Sequence, residues 1–218
     1  MTTRDAFHQE LREIEEAVIQ MASLVEAAIA RAMQALTRRD TLLADEVITS
    51  DGAINELQRS IRNRCISVMA RQAPVARDLR ELSTVQLVIN ELERMGDHAV
   101  GIAKQSVRLQ GVELPPTIGD LSELAKLVRE QVRAGIQAFI DVNVQAARDI
   151  CAKDDEIDHQ YGAIFADLLD RMAKNTAYIP VGAGLIFVAH DLERIGDRVT
   201  NICEDVIYMV TGEIEELN

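Results

Sequence analysis

From Asp5 to about Thr37, apolar residues recur at intervals of three and four: Leu11, Ile14, Val18, Met21, Val25, Ala28 and Ala32. That spacing draws one apolar stripe along a helix, a heptad-like seam that needs a partner surface. After a break at Thr37–Asp40 the rhythm returns from about Thr41 to Arg71, through Leu43, Val47, Ile54, Leu57, Ile61 and Val68. Pro74 suits the first turn of a third helix, which continues through Leu79, Leu82, Val85, Ile89, Leu92 and Ile102 to about Arg108. Gly111 to Gly119, with Pro115 and Pro116 adjacent, reads as a loop or hinge. Beyond it the pattern predicts three more helices. One spans about 121–140, capped by Asp120 or Ser122. The next spans about 144–174, capped by Asn143. The last spans about 181–211, after a turn at Asn175–Pro180. No segment alternates with period two, so no strand is predicted. The expected fold is all-α: two similar three-helix bundles in tandem, residues 1–110 and 111–218.

The two halves repeat each other. Leu92, Glu93, Arg94, Gly96, Asp97 and Ile102 recur one hundred positions on as Leu192, Glu193, Arg194, Gly196, Asp197 and Ile202. At an offset of 103, Ala44, Val47, Asp51, Ile54 and Asn55 align with Ala147, Ile150, Asp154, Ile157 and Asp158. The difference falls in the turns before the third and sixth helices, where changes of length are tolerated. Each half is then expected to be an up-down-up bundle with a heptad-like core.

Composition agrees with helix: aromatic residues are only 3% of the chain and Trp is absent, while Ala, Leu, Glu and Arg abound. The net charge of −13 is uneven, about −2 over residues 1–109 and −11 over 110–218. A general positive field for nucleic acid is therefore not expected; the acidic half suits cations or a basic partner. Cys65, Cys151 and Cys203 form no CxxC pair and lie within apolar patterns, which predicts buried free thiols in a reducing compartment. The N-terminus has no signal-peptide pattern, and the most apolar run, Val181 to Ala189, is too short to span a bilayer. A cytoplasmic protein with at most peripheral membrane association is expected.

The chemistry is concentrated in paired carboxylates. Side chains four apart share a helix face, and like charges there repel by roughly 0.2–0.5 kcal/mol. Only three acid pairs have that spacing, Glu93/Asp97, Asp154/Asp158 and Glu193/Asp197, where random placement would give about six, as repulsion predicts. All three fall at positions that the repeat places in correspondence, with Asp51/Asn55 as the fourth. The second and third helices of each bundle are antiparallel neighbours, so Asp51/Asn55 is expected to face Glu93/Asp97, and Asp154/Asp158 to face Glu193/Asp197. Converging carboxylates suit Mg, Ca, Mn or Fe. Asn201, one turn on, is expected to add an oxygen, with Glu204 or Asp205 extending the cluster. The second half is the better metal site, because the first has Asn55 and Gly101 where the second has Asp158 and Asn201. Gly96 and Gly196, costly in mid-helix by about 1 kcal/mol, predict close approach of another group. The alternative is that Arg94 and Arg194 pair with these acids on a solvated face. His98 is a possible flanking ligand. Glu156-x-x-His159 is a single copy of a pattern that a di-iron bundle needs twice. Arg59, Arg62, Arg64, Arg71, Arg77 and Arg80 cluster at one end of the first bundle. They form either a solvated face or a docking patch for acidic protein, phosphate or anionic lipid.

Leu92 to His98 and Asp191 to Glu204 closely resemble the two signature segments of the PhoU family of phosphate-transport regulators, and the likeness extends to Gln72–Arg80 and Asp154–Asp158. The resemblance spans essentially the whole chain. It implies a cytoplasmic, non-catalytic regulator, often a homodimer, that restrains the phosphate-starvation response. Its partners would be the ATP-binding subunit of the phosphate ABC transporter and a membrane sensor histidine kinase. It also implies multinuclear metal clusters on Glu93, Asp97, Asp154, Asp158, Glu193 and Asp197, the ion being Fe, Zn, Mn, Mg, Ca or Ni. Asn55 departs from that pattern in the first half. The competing reading is a carboxylate-bridged metal enzyme, an oxidase or hydrolase.

Overall fold

The computed structural model describes residues 3–217. Seven α-helices are present among them, and no strand: α1 Thr3–Arg38, α2 Thr41–Gln72, α3 Ala76–Arg108, α4 Ile118–Ile140, α5 Val144–Cys151, α6 Asp154–Lys174 and α7 Ile179–Thr211. A 3-10 turn, Thr176–Tyr178, precedes α7.

The breaks follow from local chemistry. Arg39 takes a left-handed φ of 57°, and Asp40 caps α2 by accepting from the Leu43 amide at 3.0 Å. Ala73 and Ala76 are also left-handed. Pro74 therefore lies in the turn, and α3 starts at Ala76, later than Pro74 predicts. Helix α4 starts earlier than expected because Pro115 and Pro116 carbonyls accept from the Ile118 and Gly119 amides. Neither Asp120 nor Ser122 caps it; the Ser122 hydroxyl donates back to the Ile118 carbonyl at 2.8 Å.

The main departure lies in the predicted helix 144–174. Asn143 caps it as expected, accepting from the Ala146 amide at 3.0 Å, but the helix ends at Cys151. Ala152 and Lys153 turn, and α6 restarts with Asp154, Asp155 and Glu156 in its first turn. Three acids there interact favourably with the positive end of the helix dipole. The matching stretch of α2 runs unbroken.

Helices α1, α2 and α3 pack together, as do α4, α5, α6 and α7, and the two sets join through α3 against α7 and α1 against α4. Repeat-related residues Leu92, Met95 and Ile102 of α3 and Leu192, Ile195 and Ile202 of α7 are buried in one continuous core. At the far end, Arg80 Nε donates to the Met209 carbonyl at 3.2 Å, tying the start of α3 to the end of α7.

Candidate metal centre

The sequence places α2 on α3 and α6 on α7 through the same device. A Cβ on Gly96 would stand 3.1 Å from Ile54 Cδ1 and 3.4 Å from Asp51 Oδ1. A Cβ on Gly196 would stand 3.4 Å from both Ile157 Cδ1 and Asp154 Oδ1. The missing side chains let an aspartate of the second helix lie over the backbone of the third, which explains both mid-helix glycines.

In the second half this approach gathers three carboxylates. Asp154, Asp158 and Asp197 each offer an oxygen within 4.8 Å of the others. Asp154 is buried, Asp197 half-buried and Asp158 exposed, so the cluster opens outward from a buried floor. Burial pushes the Asp154 carboxyl above its ordinary range; the Gln131 hydrogen bond opposes this, while Asp158 and Asp197 add to it. Burial likewise raises Asp197; Arg194 opposes, and Asp158 reinforces. Such a set resists collecting negative charge and gains from a cation placed among its oxygens.

Glu193 is adjacent but turned: His190 Nδ1 stands 3.3 Å from its Oε2, an oxygen that makes no hydrogen bond. Burial and Asp197 raise its carboxyl. Arg194 Nη1 donates to Asp197 Oδ2 at 2.7 Å, so the ion-pair alternative describes one oxygen of that residue. The donor set is all oxygen and suits a hard or borderline divalent ion.

Gln131 of α4 is a site residue that the sequence reading missed. Its Nε2 donates to Asp154 Oδ1 at 2.8 Å, and its Oε1 is buried without a partner, 3.3 Å from the place of a Gly196 Cβ. The available signal was a polar residue in the core register of α4, between Leu124, Val128 and Gly135.

In the first half, Asp51 and Glu93 are both raised by burial first, then by Asp97. The three acids therefore share one field, and Asn55 Nδ2 donates to Asp51 Oδ2 at 2.7 Å in place of a fourth carboxylate. Among the described residues, only the second half brings three carboxylates into ligating range.

The expected extensions of the cluster face elsewhere. Asn201 Nδ2 and Arg198 Nη1 donate to Glu91 Oε2 of α3, at 3.2 and 3.3 Å. Glu204 Oε1 accepts from the Leu217 amide at 2.8 Å. Asp205 lies near Glu91, where burial pushes its carboxyl up to about 7. His98 Nδ1 lies 3.0 Å from Asp191 Oδ1, across the α3–α7 contact. His159 is exposed. Four of the clustered arginines are occupied: Arg62 with Asn90, Arg64 with Glu13, Arg71 with Glu10 and Arg80 with Met209.

The family model described as the PhoU domain matches residues 18–106 and again 121–206. The phosphate-specific transport system accessory protein PhoU homolog of Clostridium acetobutylicum is 36% identical over 217 residues, covering 99% of each chain. The homolog of that name in Streptococcus pneumoniae serotype 4 is 34% identical, over 99% of this chain and all of that one. The crystal structure of PhoU from Pseudomonas aeruginosa superimposes with a TM-score of 0.90 at 30% identity, covering 95% of this chain and 100% of that one. That of the phosphate transport system regulatory protein PhoU from S. pneumoniae gives 0.90 at 32% identity, covering 96% and 99%.

Proposed function

We propose, from the premise that this chain belongs to the PhoU family, that it is a non-catalytic regulatory adaptor of phosphate uptake. In this reading it lies on the cytoplasmic side of the membrane. It couples the ATP-binding subunit of a phosphate ABC transporter to a sensor histidine kinase, and it restrains kinase signalling when phosphate is plentiful. The names of its relatives as phosphate-specific transport accessory proteins support the transporter. No helix among the described residues is long and apolar enough to cross a membrane.

The observation that carries an adaptor role is a set of exposed apolar side chains that the repeat duplicates. Ile66, Leu79 and Leu87 of the first half correspond to Leu169, Ile179 and Phe187 of the second, at the offsets of 103, 100 and 100. All six are between 42% and 57% exposed. Hydrogen bonds from Arg62 and Gln58 to Asn90 set the α2–α3 register and bring Ile66 level with Leu87 on the outer seam. The ring pair Tyr161–His190, centroids 6.3 Å apart, occupies the place of Gln58–Asn90 and fixes the same register for α6–α7. Grouped exposed apolar side chains mark protein-binding surfaces. Two equivalent seams give one chain two places to hold partners. A transporter conformation that engages one seam more tightly would shift the population available to the kinase.

The metal belongs to this reading as a structural element. Asp154, Asp158 and Asp197 would hold it, Glu193 stands beside them, and it would offset their mutual repulsion. Homodimerisation through one seam is part of the same proposal.

The test is co-purification of the tagged chain with the transporter ATP-binding subunit and with the kinase sensor domain, for the wild type and for Leu87→Glu and Phe187→Glu. The wild type should retain both proteins, and at least one variant should lose one of them while its helical circular dichroism is unchanged. Retention of neither protein by the wild type would sink the adaptor reading. The rival metal enzyme would declare itself by turnover of metal-loaded protein with oxygen or phosphoesters.

A further inference from the structure

The two halves carry matching cavities. In the second half a cavity of about 350 Å³ lies where α4 faces α5, α6 and the turn that joins them, with Leu127, Ile150 and Ile157 as its apolar wall. In the first half a cavity of about 110 Å³ lies where α1 faces α2, walled by Leu24, Val47 and Ile54. These are the same three positions at the offset of 103.

The polar positions differ, and the differences point one way. Arg31 lines the first cavity and reaches from α1 to Glu46 of α2, so there the chain supplies its own cation. In the second half Ala134 stands in the place of Arg31. Where the arginine is lost, two carboxylates appear: Glu130 of α4 in the place of Ala27, and Glu156 of α6 in the place of Ala53. Asp149 keeps the place of Glu46 and accepts from Gln145 at 2.8 Å. Neither Glu130 nor Glu156 forms a side-chain hydrogen bond or close ion pair among the described residues. Arg133, whose field Glu130 shares, is bound to Glu26. Lys153 is the one base on the lining, which therefore keeps a net negative charge. Gln131 belongs to the same lining, and its side chain is bonded to Asp154 of the carboxylate cluster, which adds to that field.

We propose that the cavity between α4, α5 and α6 binds a small organic cation, a guanidinium or primary ammonium group on a short apolar body. The body lies against Leu127, Ala134, Ile150 and Ile157. The charged head lies between Glu130 and Glu156, in the role that Arg31 plays toward Glu46 in the first half. Clefts of roughly 300–1,000 Å³ hold small molecules. A concave wall of low dielectric strengthens the attraction between its acids and a cation. The binding requires neither a partner protein nor a metal ion, so it stands apart from the adaptor reading.

The test is a titration of metal-free, isotope-labelled protein with butylguanidinium, followed by amide shifts in two-dimensional NMR. Saturable shifts should centre on Leu127, Gln131, Ala134 and Ile157. Butylurea, of the same shape but uncharged, should bind about tenfold more weakly, as should butylguanidinium to the Glu130→Gln/Glu156→Gln double variant with unchanged circular dichroism. Ala134→Arg, which restores the built-in guanidinium, should abolish binding. A blocked tripeptide with a central arginine should bind no tighter than butylguanidinium. Absence of saturable shifts, equal binding of butylurea, full binding by either variant, or shifts centred on another acidic surface would each overturn the proposal. Tighter binding of the tripeptide would assign the cavity to a partner's side chain and overturn the small ligand.

Discussion

At the residue scale, glycines and carboxylates share one design. Gly52 and Gly162 have open space where a Cβ would sit. Gly52→Ala and Gly162→Ala should therefore stabilise the protein by about 0.5–1 kcal/mol, the helix-propensity difference, in urea unfolding. Gly196→Ala should gain nothing or lose stability, because its Cβ would press on Gln131, Asp154 and Ile157 at 3.3–3.4 Å. Equal gains at all three positions would contradict the close approach that assembles the cluster.

The acids themselves give a second prediction. The carboxyls of Asp154, Asp197 and Glu193 are raised in the folded protein. Their favourable contribution is thus complete below the ordinary carboxylate range and is lost as pH rises through the raised values. In metal-free protein at neutral pH, Asp158→Asn should then stabilise by roughly 0.2–0.5 kcal/mol through relief of the like-charge pair with Asp154. A bound divalent ion should reverse the order of wild type and variant in a melting experiment. Wild type and variant responding equally to Mn or Zn would remove Asp158 from the ligand set.

At the element scale, most of the helices were legible because each buries one continuous stripe. The break between α5 and α6 was not. Buried Ala147, Cys151, Asp154 and Ile157 follow at intervals of four, three and three, so the apolar register passes through the turn unaltered. The legible signal was electrostatic: Asp154-Asp155-Glu156 is better placed at a helix N-terminus than inside a helix. Gln131 was missed for a related reason, since its role depends on α4 lying beside α6. Gln131→Ala should leave Asp154 without its donor. The expected cost is about 1–3 kcal/mol in metal-free protein, read by denaturant titration. A loss near zero would show that the hydrogen bond does not hold Asp154.

At the scale of the whole molecule, the sequence revealed two related halves but not how they meet. Their contact is reciprocal. Glu91 of α3 accepts from Arg198 and Asn201 of α7, while Asp191 of α7, its counterpart at an offset of one hundred, meets His98 of α3. Asn201 was expected at the metal cluster because its register on α7 is compatible with either neighbour; only the packing of α3 decides for Glu91. Asp205 of α7 feels the same α3 acid: its carboxyl is raised to about 7 chiefly by burial and then by the charges of Glu91 and Glu204. Its stabilising contribution is present below the ordinary carboxylate range and fades as pH rises through about 7. Asp205→Asn should flatten the decline in unfolding free energy between pH 5 and 8 by an amount on the order of a kcal/mol or more. An unaltered pH profile would contradict burial as the cause of the raised Asp205 carboxyl.

The duplicated seams of Ile66, Leu79 and Leu87 and of Leu169, Ile179 and Phe187 also emerge only at this scale, once burial separates exposed apolar positions from core ones. In the proposed function they are the surfaces that would hold the partners. The most direct measurement is a phosphate-starvation reporter in phosphate-replete cells of the source organism with this chain deleted, complemented by wild type or by the Leu87→Glu/Phe187→Glu double variant. Deletion should switch the reporter on, wild type should silence it, and the double variant, expressed at equal level, should leave it on. A reporter that stays silent in the deletion strain would rule out a restraining role for this chain.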